Sequence, residues 1–419
     1  MHVVVIGSGL MGLLTAYYLR ASGAEVTVID RQDSSGRETS FANGAMLHVS
    51  QASPWNSPGI LSTLMRSIGR EDSAVLVRAN ALPRMLGWGI SFLHNSSQER
   101  FITNLRANAR LAQFSIAEMS KLRAAEQVEY DFCARGTMTI YSSIQEVDRA
   151  SAFFENFSST DVEYEVIDSA HAIGLEPALR PIGERIVGAI YCPNDESGDA
   201  FKFCLGLQRV CERNGVEFNF GTRVTKLSRN GSSIDAVECP SKRIRADKFV
   251  LAAGSYTAGI ARSVGVHVPV HPVKGYSITA PIGNWSDPPK MPIIDDHAHA
   301  AVCPIGDRLR VAGTAEFAGF NQSLTKSRIE NLFKLLRSIY PEYQQHEDLS
   351  ATDRWTGLRP MTPRGVGIMG KTTLNNLFIN SGHGHLGWTM AAGAGRAVAD
   401  EVMELETQFD LSGYRLQDA

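Results

Sequence analysis

The chain has 419 residues, of which 43% are hydrophobic and 20% charged, and its formal net charge is −3. This length allows two domains with real cores, and the near-neutral charge leaves no positive field to attract nucleic acid. Low-complexity blocks, internal repeats and bilayer-length apolar runs are absent from the sequence.

The chain opens directly on a strand-like run without a basic leader, and none of its six cysteines forms a Cys-x-x-Cys pair. A reducing, cytoplasmic setting with free cysteines is therefore expected. His2–Ile6 (HVVVI) is a β-branched run suited to a buried parallel strand. Gly7–Gly12 (GSGLMG) follows at once and fits G-x-G-x-x-G. Leu10–Ser22 then reads as a helix, and Glu25–Asp30 (EVTVID) as a second strand ending on an acid.

Those parts in that order carry specific physics. The glycines permit a tight turn, close backbone approach to a pyrophosphate and close helix–strand packing. The helix N-terminus offers free N–H groups and its positive dipole end. Asp30 can accept hydrogen bonds from ribose hydroxyls. Arg31 hints at a 2′-phosphate, whereas the acid before it argues against NADP. No second such motif follows a strand, and a bound FAD without a nicotinamide domain needs only one.

Thr39–Met46 (TSFANGAM) is a loop able to bind a flat polar ring through its backbone. Helical spacing follows in Ile60–Ile68, Leu82–Leu93 and Asn104–Leu122. Strands are predicted at Gly136–Tyr141, Tyr164–Ile167, Ile186–Tyr191, Gly221–Leu227 and Lys248–Gly254, with a helix over Phe203–Asn214. Tyr276–Ala280, Ala300–Cys303 and Leu309–Ala312 suggest an antiparallel sheet. Ser327–Tyr340 reads as a helix closed by Pro341, Leu377–Asn380 as an apolar strand, and Gly387–Glu406 as the last helix. The fold class is α/β, in the form of an α+β two-domain protein. A Rossmann-like dinucleotide domain (1–60, 195–265 and 350–419) is interleaved with a mixed antiparallel-sheet substrate domain and helical cover (61–194 and 266–349).

Seven motifs in order span almost the whole chain: GSGLMG with Asp30, TSFANGAM, PNDESGD (193–199), AAGSYT (252–257), VKGYSIT (273–279), TGLRPMTPRG (356–365) and SGHGHLGWT (381–389). Together they resemble the FAD-dependent D-amino acid dehydrogenases, the quinone-linked branch of the D-amino acid oxidase and glycine oxidase superfamily. The resemblance implies bound FAD and oxidative deamination of a small D-amino acid, with hydride passing from Cα to flavin N5. It also implies a quinone-type electron acceptor and peripheral contact with the inner face of the cytoplasmic membrane. The neighbouring expectation is an oxygen-using oxidase of glycine type, or an enzyme for D-proline and hydroxy-D-proline. A non-catalytic flavin subunit and an NAD-dependent dehydrogenase are the rivals from other classes. One departure stands out: the family's small or polar residues after TSFAN give way here to GAMLHVS, with Met46 and His48.

Carried over residue by residue, the resemblance assigns FAD contacts to Gly7, Ser8, Gly9, Leu10, Met11, Gly12, Asp30 and Arg31. It adds Thr39, Ser40, Asn43, Gly44, Ala45 and Met46 from the first loop, then Val224, Ala253, Gly254 and Gly357. The last group is Gly384, His385, Leu386, Gly387, Trp388 and Thr389, whose helix end should face the flavin's N1–C2=O side and stabilise reduction. Arg359 is expected to hold the substrate carboxylate with its planar fork. Tyr276 is expected to donate to the same carboxylate, or else to be a packed strand tyrosine. His48 is placed to assist amine deprotonation, against a packing role, and His385 faces the substrate. Lys274 is as readily a solvated lysine. His297 and His299 lack a third ligand at suitable spacing, so no metal is expected.

Overall fold

The computed structural model describes residues 1–71, 73–155, 162–296 and 300–419, apart from the Arg84 side chain. Its first sheet has six strands in the order Ile368–Lys371, Leu377–Ser381, Lys248–Leu251, His2–Ile6, Glu25–Ile29, Glu217–Asn219. All neighbours run parallel except the first pair, which is antiparallel. Val3 and Val5 pack under the helices Leu10–Ala21, Ala200–Arg213 and Gly387–Val402, while Val4 and Ile6 face a second apolar cluster around Leu227 and Ala261. Both faces are covered, and this is why the strands read as unbroken β-branched runs rather than as alternation.

The second sheet is mixed and larger. It runs Asp353–Met361, His271–Pro281, Arg308–Phe317, Ala300–Ile305, Ile293–Asp295, Thr137–Tyr141, Gly188–Cys192, Glu165–Asp168, and Val75–Val77 also pairs with Arg308–Phe317. The expected antiparallel core is present, with Tyr276 opposite Gly313 and Ala301 opposite Ala312. Helix Lys326–Ile339 closes one face of this sheet with Ile329, Leu332, Phe333 and Leu336. Arg328 on that helix is fully buried and donates to the carbonyls of Glu71, Ser73, Ala74 and Ala315, pinning Val75–Val77 to the sheet edge.

Two segments depart from the sequence reading. Gly221–Leu227 does not form the expected strand; the chain is irregular to Thr225, and Lys226–Asn230 pairs with Ser233–Glu238 in a separate hairpin. Asp353–Met361, expected within the nucleotide domain, hydrogen-bonds in the larger sheet along His271–Pro281. That crossing brings Arg359 opposite Val273 and places Gly275 opposite Gly357. The cysteines among the described residues are all free, as expected.

Candidate active site

One cavity of about 990 Å³ runs between the two sheets, within the range of ligand pockets. At one end lies the glycine turn. Gly7 has φ of +108°, and a Cβ there would sit 2.5 Å from the Ala252 carbonyl. At Gly12 a Cβ would fall 1.8 Å from the Gly7 carbonyl, so the first helix can approach the strand only with glycine there. Helix Leu10–Ala21 starts at Gly9 with no acid in its first turn, leaving its positive end to the cavity.

Asp30 lines the cavity and its carboxylate is preset. Oδ2 accepts from the Ser8 amide and hydroxyl, both at 2.7 Å, and Oδ1 from the Gln32 amide at 2.9 Å. Ser8 is therefore spent on Asp30 rather than on a ligand. Arg31 bonds Glu38 at 2.9 Å and stacks 3.9 Å over the Tyr256 ring, which engages the cation that a 2′-phosphate would need.

Loop 39–46 lies along the cavity, held by Thr39 Oγ1 on the Leu358 carbonyl (2.8 Å) and by Arg310 on the Asn43 carbonyl (3.0 Å). Ser40 Oγ accepts from the Leu10 amide at 3.3 Å. Of the expected cofactor residues, Gly7, Gly9, Leu10, Met11, Asp30, Arg31, Thr39, Ser40, Asn43, Gly44, Met46, Val224, Ala253, Gly254, Gly357, Gly384, His385, Gly387 and Trp388 line the cavity. Ser8, Gly12, Ala45, Leu386 and Thr389 stand behind its wall. Thr389 Oγ1 instead accepts from the His48 amide at 3.2 Å.

Residues 382–389 enter as a turn of backbone. Gly382 and Gly384 adopt positive φ, a short 3-10 turn covers Gly384–Leu386, and helix Gly387–Val402 begins with no acid in its first turn. Asn380 Nδ2 bonds Thr15 at 3.0 Å while its Oδ1 is buried without a protein partner. His383 is 4% exposed and neither ring nitrogen has a partner among the described residues. Both residues line the cavity. Buried polar atoms are normally satisfied, so these orphans point to a polar ligand. The glycine turn, the two helix N-termini without acids, preset Asp30 and these atoms together fit a dinucleotide bearing a polar ring system.

Arg359 stands half-buried in the wall of the same cavity. Its guanidinium donates to the Thr314 carbonyl at 2.9 Å and sits 5.3 Å from the Trp55 ring centre, with no acidic partner among the described residues. Burial alone lowers its pKa to about 10, so it remains a cation at neutral pH. Gly275 makes this position available, because a Cβ there would meet the guanidinium at 2.3–2.6 Å. His385 stacks against Trp55, with centroids 5.1 Å apart, and burial with the nearby Arg359 charge lowers its pKa to about 3. His48 is 7% exposed and lines the cavity; its Nδ1 is unpartnered, and burial lowers its pKa against the pull of Asp195.

Of the two roles expected for Tyr276, its contacts match the packed strand tyrosine. Its ring lines the cavity, but its hydroxyl donates to Glu316 at 2.5 Å and meets Thr325 Oγ1 at 3.0 Å. Lys274 is fully buried and donates to the Ser323 carbonyl at 2.6 Å, so it is not a solvated lysine. His297 and His299 lie outside the described residues, and no metal-binding cluster occurs among those described. Trp55 and Asp195 went unnoticed in the sequence, where a loop tryptophan and one acid in PNDESGD carry no spacing signal.

Residues 2–401 match the family model described as FAD dependent oxidoreductase. A D-amino acid dehydrogenase of Vibrio atlanticus is 37% identical over 402 residues, covering 96% of each chain. One of Methylobacterium nodulans is 38% identical over 419 residues, covering 99% of each. Among solved structures, glycine oxidase of Geobacillus kaustophilus aligns with a TM-score of 0.77 at 19% identity, covering 99% of this chain and 97% of its own. L-proline dehydrogenase of P. horikoshii gives 0.77 at 18%, covering 99% and 96%. At those identities the structural matches speak for the fold.

Proposed function

The chain belongs to the FAD-dependent oxidoreductase family, and from that premise we propose that it oxidises a D-amino acid to an imino acid, which water converts to a 2-oxo acid and ammonia. The D configuration follows the activity of the relatives, and a quinone-type acceptor follows the motif resemblance. The observation that carries the substrate reading is Arg359, a half-buried cation on the cavity wall with no acidic partner among the described residues. An isolated buried charge is costly, and a substrate carboxylate is the group that would offset it in planar, bidentate fashion.

When bound, FAD supplies the two-electron acceptor for the α-hydrogen. The protein's own work is orientation, charge neutralisation and exclusion of water. Arg359 holds the carboxylate, and Trp55 and His385 form a flat wall beside it. His48 and His385, kept neutral by burial, leave the amine free to lose its proton. Tyr276 shapes the wall while its hydroxyl braces Glu316. Residues 1–60, 195–265 and 350–419 are assigned to the FAD domain, with strand Asp353–Met361 reaching into the sheet of the cover, 61–194 and 266–349.

Anaerobic mixing of the purified protein with D- and L-amino acids tests this reading. D-Amino acids should bleach the flavin absorbance, L-isomers should not, and a quinone analogue should restore the colour faster than oxygen. Bleaching by glycine or D-proline alone, with stoichiometric peroxide, would replace the proposal with the oxidase reading.

No helix among the described residues is long and apolar enough to cross a membrane. Helices Ile60–Arg66 and Leu82–His94 nevertheless expose Leu61, Met65, Leu86 and Ile90, the last at 69%. A patch of this kind supports peripheral membrane contact. Vesicles containing phosphatidylglycerol should sediment the protein, and Leu86→Glu with Ile90→Glu should cut that several-fold while turnover with a water-soluble dye persists. Equal sedimentation of parent and variant would remove the membrane reading.

A further inference from the structure

Beneath the cavity wall, the turn 193–199 delivers a carboxylate that the reaction as derived so far does not use. Asp195 is 5% exposed. Its Oδ1 accepts from the Val49 amide at 3.2 Å, and its Oδ2 from the Ser50 hydroxyl at 2.5 Å and the Thr137 hydroxyl at 2.6 Å. The Gly136 amide in turn donates to the Asp195 carbonyl at 3.1 Å. The two residues that follow His48 are thus tied to one acid, while the His48 amide is tied to Thr389 on the last helix. Held on both sides, the His48 imidazole has its backbone fixed where the ring meets the cavity.

We propose that Asp195 is the positioning residue for His48: it fixes the loop that presents the imidazole and supplies the countercharge when that imidazole takes a proton from the substrate ammonium. This rests on the amino acid reading above. In the step, an ammonium N–H bond breaks, its proton goes to a ring nitrogen of His48, and the neutral amine is left ready to release the α-hydrogen with its electron pair. The imidazolium is a cation in a buried place and needs a nearby anion to be reachable at all. The other titratable groups around it do not serve. His385 nearby is a neutral ring, itself under the charge of Arg359, a cation, and Cys192, beside Asp195, is a buried thiol held protonated. Burial pushes the Asp195 carboxyl up, and His48 with the Ser50 and Thr137 hydroxyls pulls it back towards the anion.

The test is the pH profile of kcat/KM for the FAD-loaded enzyme with its best D-amino acid, beside a thermal melt of each variant. His48→Gln should abolish the acidic limb. Asp195→Asn keeps the shape but not the charge. It should lower the plateau roughly ten-fold, less than the loss of a general base itself, and shift the limb about one pH unit towards acid, as loss of a neighbouring anion would. Ser50→Ala with Thr137→Val, which leaves the carboxyl in place but weakens its anionic form, should shift the limb the same way by less, and it serves where Asp195→Asn melts early. A purely structural Asp195 would lower the plateau and leave the limb still, and that result overturns the proposal. So does an acidic limb that survives in His48→Gln. Turnover of a D-amino acid by the parent enzyme is established first, so failure here is distinct from failure of the substrate reading.

Discussion

Replacing Arg359 by Ala should reduce kcat/KM by roughly 10²- to 10⁴-fold while the protein stays yellow. The range follows from the 3–5 kcal/mol typical of breaking a buried charge pair and from about 1.4 kcal/mol per factor of ten. The pair in question forms only with substrate present, since the guanidinium has the Thr314 carbonyl but no acidic partner among the described residues. Arg359→Lys should recover little, because an ammonium cannot reproduce the planar fork.

The same residue should show an inverse effect on stability. Without substrate, Arg359 is a partly desolvated, unpaired cation whose pKa burial lowers to about 10, and Ala at this site removes that penalty. The ligand-free variant should therefore melt no lower than the parent. A carboxylate analogue at about one hundred times its Kd should stabilise the parent by about 2.7 kcal/mol and leave the variant unmoved. Near-normal turnover by Arg359→Ala, or equal stabilisation of both proteins by the analogue, would remove Arg359 from the site.

What could be read in the sequence was chemistry confined to short stretches. HVVVI, GSGLMG and EVTVID each specify their own conformation, and the sheet registers they enter, Val3 beside Val26 and Val5 beside Val250, need only buried β-branched runs. Arg359 was singled out through its motif, and the structure places it on the cavity wall. The hairpin 226–238 could have been found, because Asn230–Gly231 between alternating segments is a turn signal and Gly231 does take positive φ. Tyr276 was not legible. Its hydroxyl is claimed by Glu316, forty positions away, and only the pairing of His271–Pro281 with Arg308–Phe317 brings the two together. Trp55 and Asp195 owe their places to loops closed by distant partners, namely His385 for the first and Val49, Ser50 and Thr137 for the second. Contacts of that separation leave no periodic trace in sequence.

Gly12→Ala should yield protein with little or no flavin. The obstacle is backbone, not a side chain that can swing aside: the new methyl would lie 1.8 Å from the Gly7 carbonyl oxygen and 2.8 Å from its carbon. Relief requires helix Leu10–Ala21 to move away from the strand His2–Ile6. That shift withdraws the helix N-terminus and the Gly7–Gly9 turn from the place proposed for the pyrophosphate. Overpacking of this kind costs about 1–3 kcal/mol, which a chain of this size can survive, so the expected product is folded apoprotein rather than aggregate. Asp30 should suffer too, because Ser8 in the displaced turn supplies two of its three donors. Gly174→Ala is the control, since a Cβ there meets nothing within 4 Å in helix Ser169–Leu175. Flavin content per chain, read from the visible spectrum of each purified protein, decides the matter. A Gly12→Ala protein as yellow as Gly174→Ala would mean that the helix–strand contact at Gly12 is not what holds the nucleotide.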